Sequence, residues 1–87
     1  MIVTLLTKPD CDNCVRAKET LQHISEDITF EMVFVELDSL AGQALAVEHG
    51  VLFAPGVFIN GRLSSYGRPS ERRLRRDLTA AAAGTFR

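Results

Sequence analysis

Cys11 and Cys14 are the only cysteines in the chain, and they stand three positions apart within Thr7-Lys8-Pro9-Asp10-Cys11-Asp12-Asn13-Cys14-Val15-Arg16-Ala17-Lys18. Two thiols at that spacing can form a reversible disulfide, clip a soft metal ion, or simply pack as small apolar side chains. Residues i and i+3 of a helix lie on one side, with Cβ atoms roughly 5 to 6 Å apart. Bridged cysteines usually hold their Cα atoms about 4.4 to 6.8 Å apart, so a disulfide is within reach. The loop it would close is too small to staple a fold, which turns attention to chemistry rather than structure.

The two thiols are not equivalent. Cys14 shares an apolar stripe with Ala17, Leu21 and Ile24, at spacings of three, four and three, and is expected to be shielded. Cys11 falls at the N-terminal edge of that helix, where unpaired N–H groups and the positive dipole end favour a thiolate. The expectation is that Cys11 attacks a substrate disulfide and Cys14 resolves the mixed disulfide that results. Asp10 and Asp12 oppose a second anion, while Lys8, Arg16 and Lys18 offset them, so the thiolate preference should be moderate.

A metal clip is the competing chemistry. Structural zinc takes four protein ligands, and only His23 and His49 could complete a set, without zinc-finger spacing. His23 falls on the polar side of the first helix, and His49 ends the second helix, where a cation suits the dipole. Two-coordinate Cu(I) suits soft thiolates better, but a metal carrier with CxxC after its first strand would run β-α-β-β-α-β. This chain reads differently.

The elements that must position the pair follow from periodicity and punctuation. Residues 2–7 (IVTLLT) predict a strand, 12–25 a helix and 30–37 (FEMVFVEL) a second strand. Asp38-Ser39 caps a short helix ending at His49, with Gly50 at its C′ position. Residues 56–60 predict a third strand, Asn60-Gly61 a hairpin turn, and Arg62–Tyr66 a fourth strand. Ser70 caps a last helix with Leu74, Leu78 and Ala81 or Ala82 on its core stripe. The fold class is α/β, in the order β-α-β-α-β-β-α, with a mixed four-stranded sheet flanked by three helices.

Composition bounds the rest. At 87 residues, 46% hydrophobic and 24% charged, the chain is expected to form one domain spanning 1–87. The start of the chain carries no secretory leader pattern and no run long enough to span a bilayer, so a cytoplasmic protein without membrane association is expected. The net charge is −1, yet Arg62, Arg68, Arg72, Arg73, Arg75, Arg76 and Arg87 all follow Gly61. No aromatic residues interleave with Arg72, Arg73, Arg75 and Arg76, which reads as a solvated helix face rather than a nucleic-acid surface.

Nearly the whole sequence resembles the thioredoxin superfamily, and by size its glutaredoxin-like members. "TLLTKPDCDNC" resembles the glutaredoxin strand, Lys-Pro and Cys-x-x-Cys. "LAVEHGVLFAPGVFING" resembles the helix, Gly-Val turn, cis-proline and following strand. "SSYGRPSERRLRRDL" resembles the last strand and closing helix. The resemblance implies that Pro55 is cis beside the cysteines and that the backbone of Ala54 pairs with an extended substrate. Lys8 matches the lysine that glutaredoxins place on the glutathione carboxylate. The other glutathione segments differ: Phe53-Ala54-Pro55 replaces Thr-Val-Pro, and Ser65-Tyr66-Gly67-Arg68 replaces the Gly-Gly pair and Asp. Between the cysteines, Asp12-Asn13 replaces the Gly-Pro of thioredoxins and the Pro-Tyr of dithiol glutaredoxins.

The resemblance thus implies a monomeric thiol-disulfide oxidoreductase, a dithiol electron carrier that reduces protein disulfides. Cys11 and Cys14 are its catalytic pair, and Lys8, Asp12, Asn13, Ala54, Pro55 and Tyr66 its substrate contacts. Thioredoxin reductase or a low-molecular-weight thiol is the expected reductant. No organic cofactor or metal is expected, because the dithiol itself carries two electrons. The alternatives are a thiolate carrier of Cu(I) or zinc and a non-catalytic thioredoxin-fold interaction module.

Overall fold

The computed structural model describes residues 1–86; Arg87, one of the C-terminal arginines, lies outside the described residues. The elements are β1 (Ile2–Thr7), α1 (Asp12–Ile24), β2 (Glu31–Glu36), α2 (Leu40–His49), β3 (Gly56–Ile59), β4 (Arg62–Tyr66) and α3 (Glu71–Ala82). The expected order is found, with the boundaries of α1, β2 and β3 each trimmed by a residue at one or both ends. Helix α1 stops at Ile24 because the chain turns through Ser25 and Glu26, whose N–H groups bond Leu21 O and His23 O.

The sheet runs β2-β1-β3-β4. β1 pairs in parallel with β2, while the β1–β3 and β3–β4 pairs are antiparallel. The parallel pair needs the α1 crossover, and the β3–β4 pair needs only the tight Asn60-Gly61 turn, where both residues take positive φ. Asn60 also ties that turn to the central strand, since Ile2 N donates to its Oδ1 at 2.9 Å.

Alternation along β1 sends residues to two cores. Val3 and Leu5 pack with Ala17, Leu21, Ile24 and Leu74 under α1 and α3. Leu6 packs with Val51 and Phe58 on the α2 side, together with Leu45. Helix α2 comes very close to the end of β2: a Cβ on Gly42 would collide with the carbonyl oxygen of Glu36. Only glycine fits there.

Polar contacts dock α3. Ser64 on β4 donates a buried 2.7 Å hydrogen bond to Asp77. Arg75 reaches Glu71 and Asp27, each at 2.8 Å, and Glu71 lies 3.2 Å from His23 of α1. The arginines of α3 are therefore not the uniformly solvated face that their spacing suggests: Arg75 links α3 to the turn after α1, while Arg72 is exposed.

These docking contacts can be tested one at a time. Replacing Ser64 by Ala removes the hydroxyl donor from a buried carboxylate, which costs about 1–3 kcal/mol. A chain of this size should then melt several degrees lower, at about 4–8 °C per kcal/mol, measured by circular dichroism. The Arg75 hydrogen bond, and after it the His23 hydrogen bond, hold the Glu71 carboxyl below its ordinary value. Its contribution to stability is present above the unfolded value and is lost as pH falls through the lowered one. Glu71→Gln should therefore melt lower than the natural chain at neutral pH and lose less on acidification.

Candidate functional site

The loop after β1 delivers the dithiol to the start of α1. Asp10 takes a left-handed φ of 52°, which turns the chain from the Lys8-Pro9 segment into the helix. Cys11 is then the N-cap, with φ −122° and ψ 105°. Its Sγ accepts a hydrogen bond from Cys14 N at 3.1 Å, and its carbonyl accepts from Cys14 N at 3.1 Å and Val15 N at 3.2 Å. A sulfur has taken the place of the usual capping oxygen. The amides that favour an anion at this helix end therefore face Cys11.

Cys11 and Cys14 are joined as a disulfide, with Cα atoms 5.2 Å apart. Cys11 is partly exposed, while Cys14 keeps only 4% of its surface and sits on the stripe with Ala17, Leu21 and Ile24. The asymmetry expected from the helical phase is present.

Two clefts meet at Cys11. One, of about 540 Å³, runs between α1 and the β1–β2 pair and is lined by Leu5, Thr7, Cys14, Val15, Lys18 and Phe34. The other, of about 590 Å³, opens towards the loop before β3 and is lined by Asn13, Arg16, Phe53, Ala54 and Arg68. Lys8, Asp10, Cys11 and Asp12 border both.

Lys8, Asp12, Asn13 and Ala54 are thus brought together with the dithiol, as the sequence suggests. Pro55 follows a cis peptide bond, which agrees with the resemblance, but its side chain is fully buried and lines neither cleft. Its carbonyl accepts from Gly67 N at 2.8 Å, which joins the loop to the end of β4. Tyr66 lies outside both clefts. A register shift between Val57 and Phe58 sets it opposite Gly56, where it meets Phe53 edge-on at 5.2 Å. Its link to the dithiol cleft runs through the Phe53 ring.

The residue pattern did not assign Phe53, Phe34 or Arg68 to the site. Phe53 is signalled by its place two residues before the Pro that ends the loop. Phe34 is signalled by alternation in β2, because it pairs with Leu5 and so shares the α1 face of the sheet. Its ring carries the Lys18 ammonium 5.5 Å from its centroid. Neither histidine approaches the thiols: His23 faces Glu71, and His49 packs edge-on against Phe58 at 5.0 Å. Among the described residues no group of three or more His, Cys, Asp or Glu side chains is arranged to hold a metal ion.

A mixed sheet with this order, three helices and a Cys-x-x-Cys at the start of α1 defines a thioredoxin-like dithiol protein. The chain belongs to the glutaredoxin family, whose family model matches residues 3–64. It is 35% identical over 86 residues to uncharacterized proteins of Mycobacterium tuberculosis and Mycobacterium bovis, covering 95% of this chain and 88% of theirs. A thioredoxin of Methanocaldococcus jannaschii is 24% identical over 72 residues, covering 83% of this chain and 85% of that one. Among solved structures, the thioredoxin-like protein BC3987 superposes with a TM-score of 0.62 at 29% identity, covering 84% and 96% of the two chains. A mutant thioredoxin of Halobacterium salinarum shares the fold, with a TM-score of 0.68 at 19% identity, over 91% of this chain and 72% of that one. Family and cysteine pair together support a redox dithiol role.

After reduction, the exposed N-cap thiol should be the more reactive. Alkylation of the reduced chain near neutral pH, followed by peptide mapping, should modify Cys11 at least about tenfold faster than Cys14, given the exposure and thiolate preference of the former. Equal rates would contradict the asymmetry.

Proposed function

We propose that this chain is a dithiol electron carrier that reduces protein disulfides. One observation carries the reading: one cysteine caps a helix at the meeting of two clefts, and its partner is 4% exposed beside it. The Cys11 thiolate attacks a substrate disulfide and releases one substrate thiol, leaving Cys11 bonded to the other. The Cys14 thiolate then attacks Cys11 Sγ, forming the protein disulfide and releasing the second substrate thiol. The substrate gains two electrons and the protein pair gives up two, so the reading needs no organic cofactor or metal.

In this reading an extended substrate lies across the Phe53-Ala54 side, pairing with the backbone of Ala54, while buried Pro55 fixes the loop from behind. Phe53 and Tyr66 offer it an aromatic shelf, and Lys8, Asp12 and Asn13 contact its flanks. Thioredoxin reductase or a low-molecular-weight thiol restores the dithiol. The altered glutathione segments favour the former. Arg68 now occupies the cleft beside Cys11. In this reading the chain acts as a monomer in the cytoplasm. Among the described residues no helix is long and apolar enough to cross a membrane.

Trapping tests the roles. Cys14→Ser should accumulate mixed disulfides with protein substrates, and Cys11→Ser should accumulate none; the reverse pattern would refute the assignment. A redox titration tests the chemistry. Asp10 and Asp12 border Cys11 and disfavour its thiolate, so exchanging both for Asn should make the couple more oxidising. A shift of about 30 mV changes the equilibrium tenfold. Stoichiometric copper or zinc on the cysteines, without a reversible two-electron couple, would establish the metal-carrier reading instead.

A further inference from the structure

We infer that Lys18 is a positioning residue for the second half of the reaction: its ammonium, held over the Phe34 ring, stabilises the Cys14 thiolate as it resolves the mixed disulfide. The inference rests on the dithiol reading above and assigns a residue that reading leaves without a role.

The need for such a group follows from the helix start. Cys14 is almost wholly buried, and burial disfavours a thiolate. The amides at the helix N-terminus do not compensate, because Cys14 N is committed to Cys11, contacting both its Sγ and its carbonyl oxygen at 3.1 Å. The helix end thus serves the attacking sulfur. The resolving sulfur needs its own source of positive charge.

The cleft that Cys14 lines supplies one. Its inner wall is apolar, formed by Leu5, Val15 and Phe34. Four charged side chains border it: Lys8, Asp10 and Asp12 from the loop and first turn at the Cys11 end, and Lys18 from further along α1. The two aspartates oppose any thiolate. Lys18 is four residues after Cys14, on the same helix face, about 6 Å further along the axis at 1.5 Å per residue. Helical side chains lean towards the N-terminus, so the lysine stem lies back over the turn that holds Cys14. The Phe34 ring, 5.5 Å from the ammonium, restrains it there by a cation–π contact. Cys11 is seven residues from Lys18, about 10 Å along the axis, and should feel it much less.

The step balances without proton transfer to the lysine. Cys14 loses its proton to solvent, and its thiolate attacks Cys11 Sγ. The Cys11–Cys14 bond forms as the bond from Cys11 to the substrate breaks. The departing substrate thiolate takes up a proton from solvent, and Lys18 remains an ammonium throughout.

A symmetrical nitroaryl disulfide reports the two halves separately, because attack by Cys11 releases one coloured thiolate and resolution by Cys14 the other. Single-turnover release from the reduced chain is followed from about pH 6 to pH 9, on either side of an ordinary thiol's titration. The natural chain is compared with Lys18→Met, Lys18→Arg and, as a control for loss of a remote cation, Arg72→Met on the exposed face of α3. Lys18→Met should slow the second release about tenfold near neutral pH and move its pH midpoint up by about one unit. The first release should change less than about threefold, as expected for a charge two helical turns away. Lys18→Arg, which keeps the cation, should restore the second release, and Arg72→Met should leave it unchanged. An unaltered second release in Lys18→Met, equal slowing of both releases, equal slowing in Lys18→Arg, or the same slowing in Arg72→Met would overturn the inference. Failure of the natural chain to release any thiolate would instead refute the dithiol reading on which it rests.

Discussion

Packing of α1 on β1 sets the properties of the dithiol. Ala17, Leu21 and Ile24 lose all exposure against Val3 and Leu5, and a helix whose inner stripe is packed so closely is fixed in its rotation about its own axis. That phase carries Cys14 inward and leaves Cys11 at the rim. It also orients the first-turn amides, so the same apolar contacts that stabilise the fold decide which sulfur meets a partner. Rotating α1 by one residue, about 100°, would bury a charged side chain and undo both outcomes together.

The sheet supplies the second half of the arrangement. β1 and β3 are the inner strands and pair antiparallel, so the loop ending at Pro55 is carried to the same end of the strands as the loop ending at Cys11. The Gly67–Pro55 hydrogen bond and the register shift in β3 then bring Phe53 and Tyr66 together beside it. The candidate site is therefore built from segments about forty residues apart, brought together by one antiparallel pair.

Much of this was legible in the residues. Alternation in β1, the stripe from Cys14 to Ile24, the Ser39 and Ser70 caps and the Asn60-Gly61 turn each rest on local chemistry, and each is found at its expected place. The Cys11–Cys14 asymmetry was legible for the same reason. What escaped depends on contacts between distant segments. The edge-on meeting of Tyr66 with Phe53 follows from the irregular pairing of β3 with β4, which no local pattern announces. Arg75 read as a solvated charge because its partner Asp27 lies in the turn after α1, distant in sequence. Lys18 read only as one of several cations near the thiols; its partner Phe34 is supplied by a parallel strand pairing whose register periodicity alone does not determine.

The sheet order has a further consequence at its rim. β2 lies at one edge, and its centre, Met32-Val33-Phe34-Val35, is a β-prone apolar run with Phe34 half exposed. An open edge of that composition is a template for pairing with another chain, and so for aggregation. Exposed glutamates bracket the run, Glu31 before it and Glu36 after it. Two copies approaching edge to edge would bring these like charges together, and the repulsion guards the strand without disturbing its inner pairing to β1.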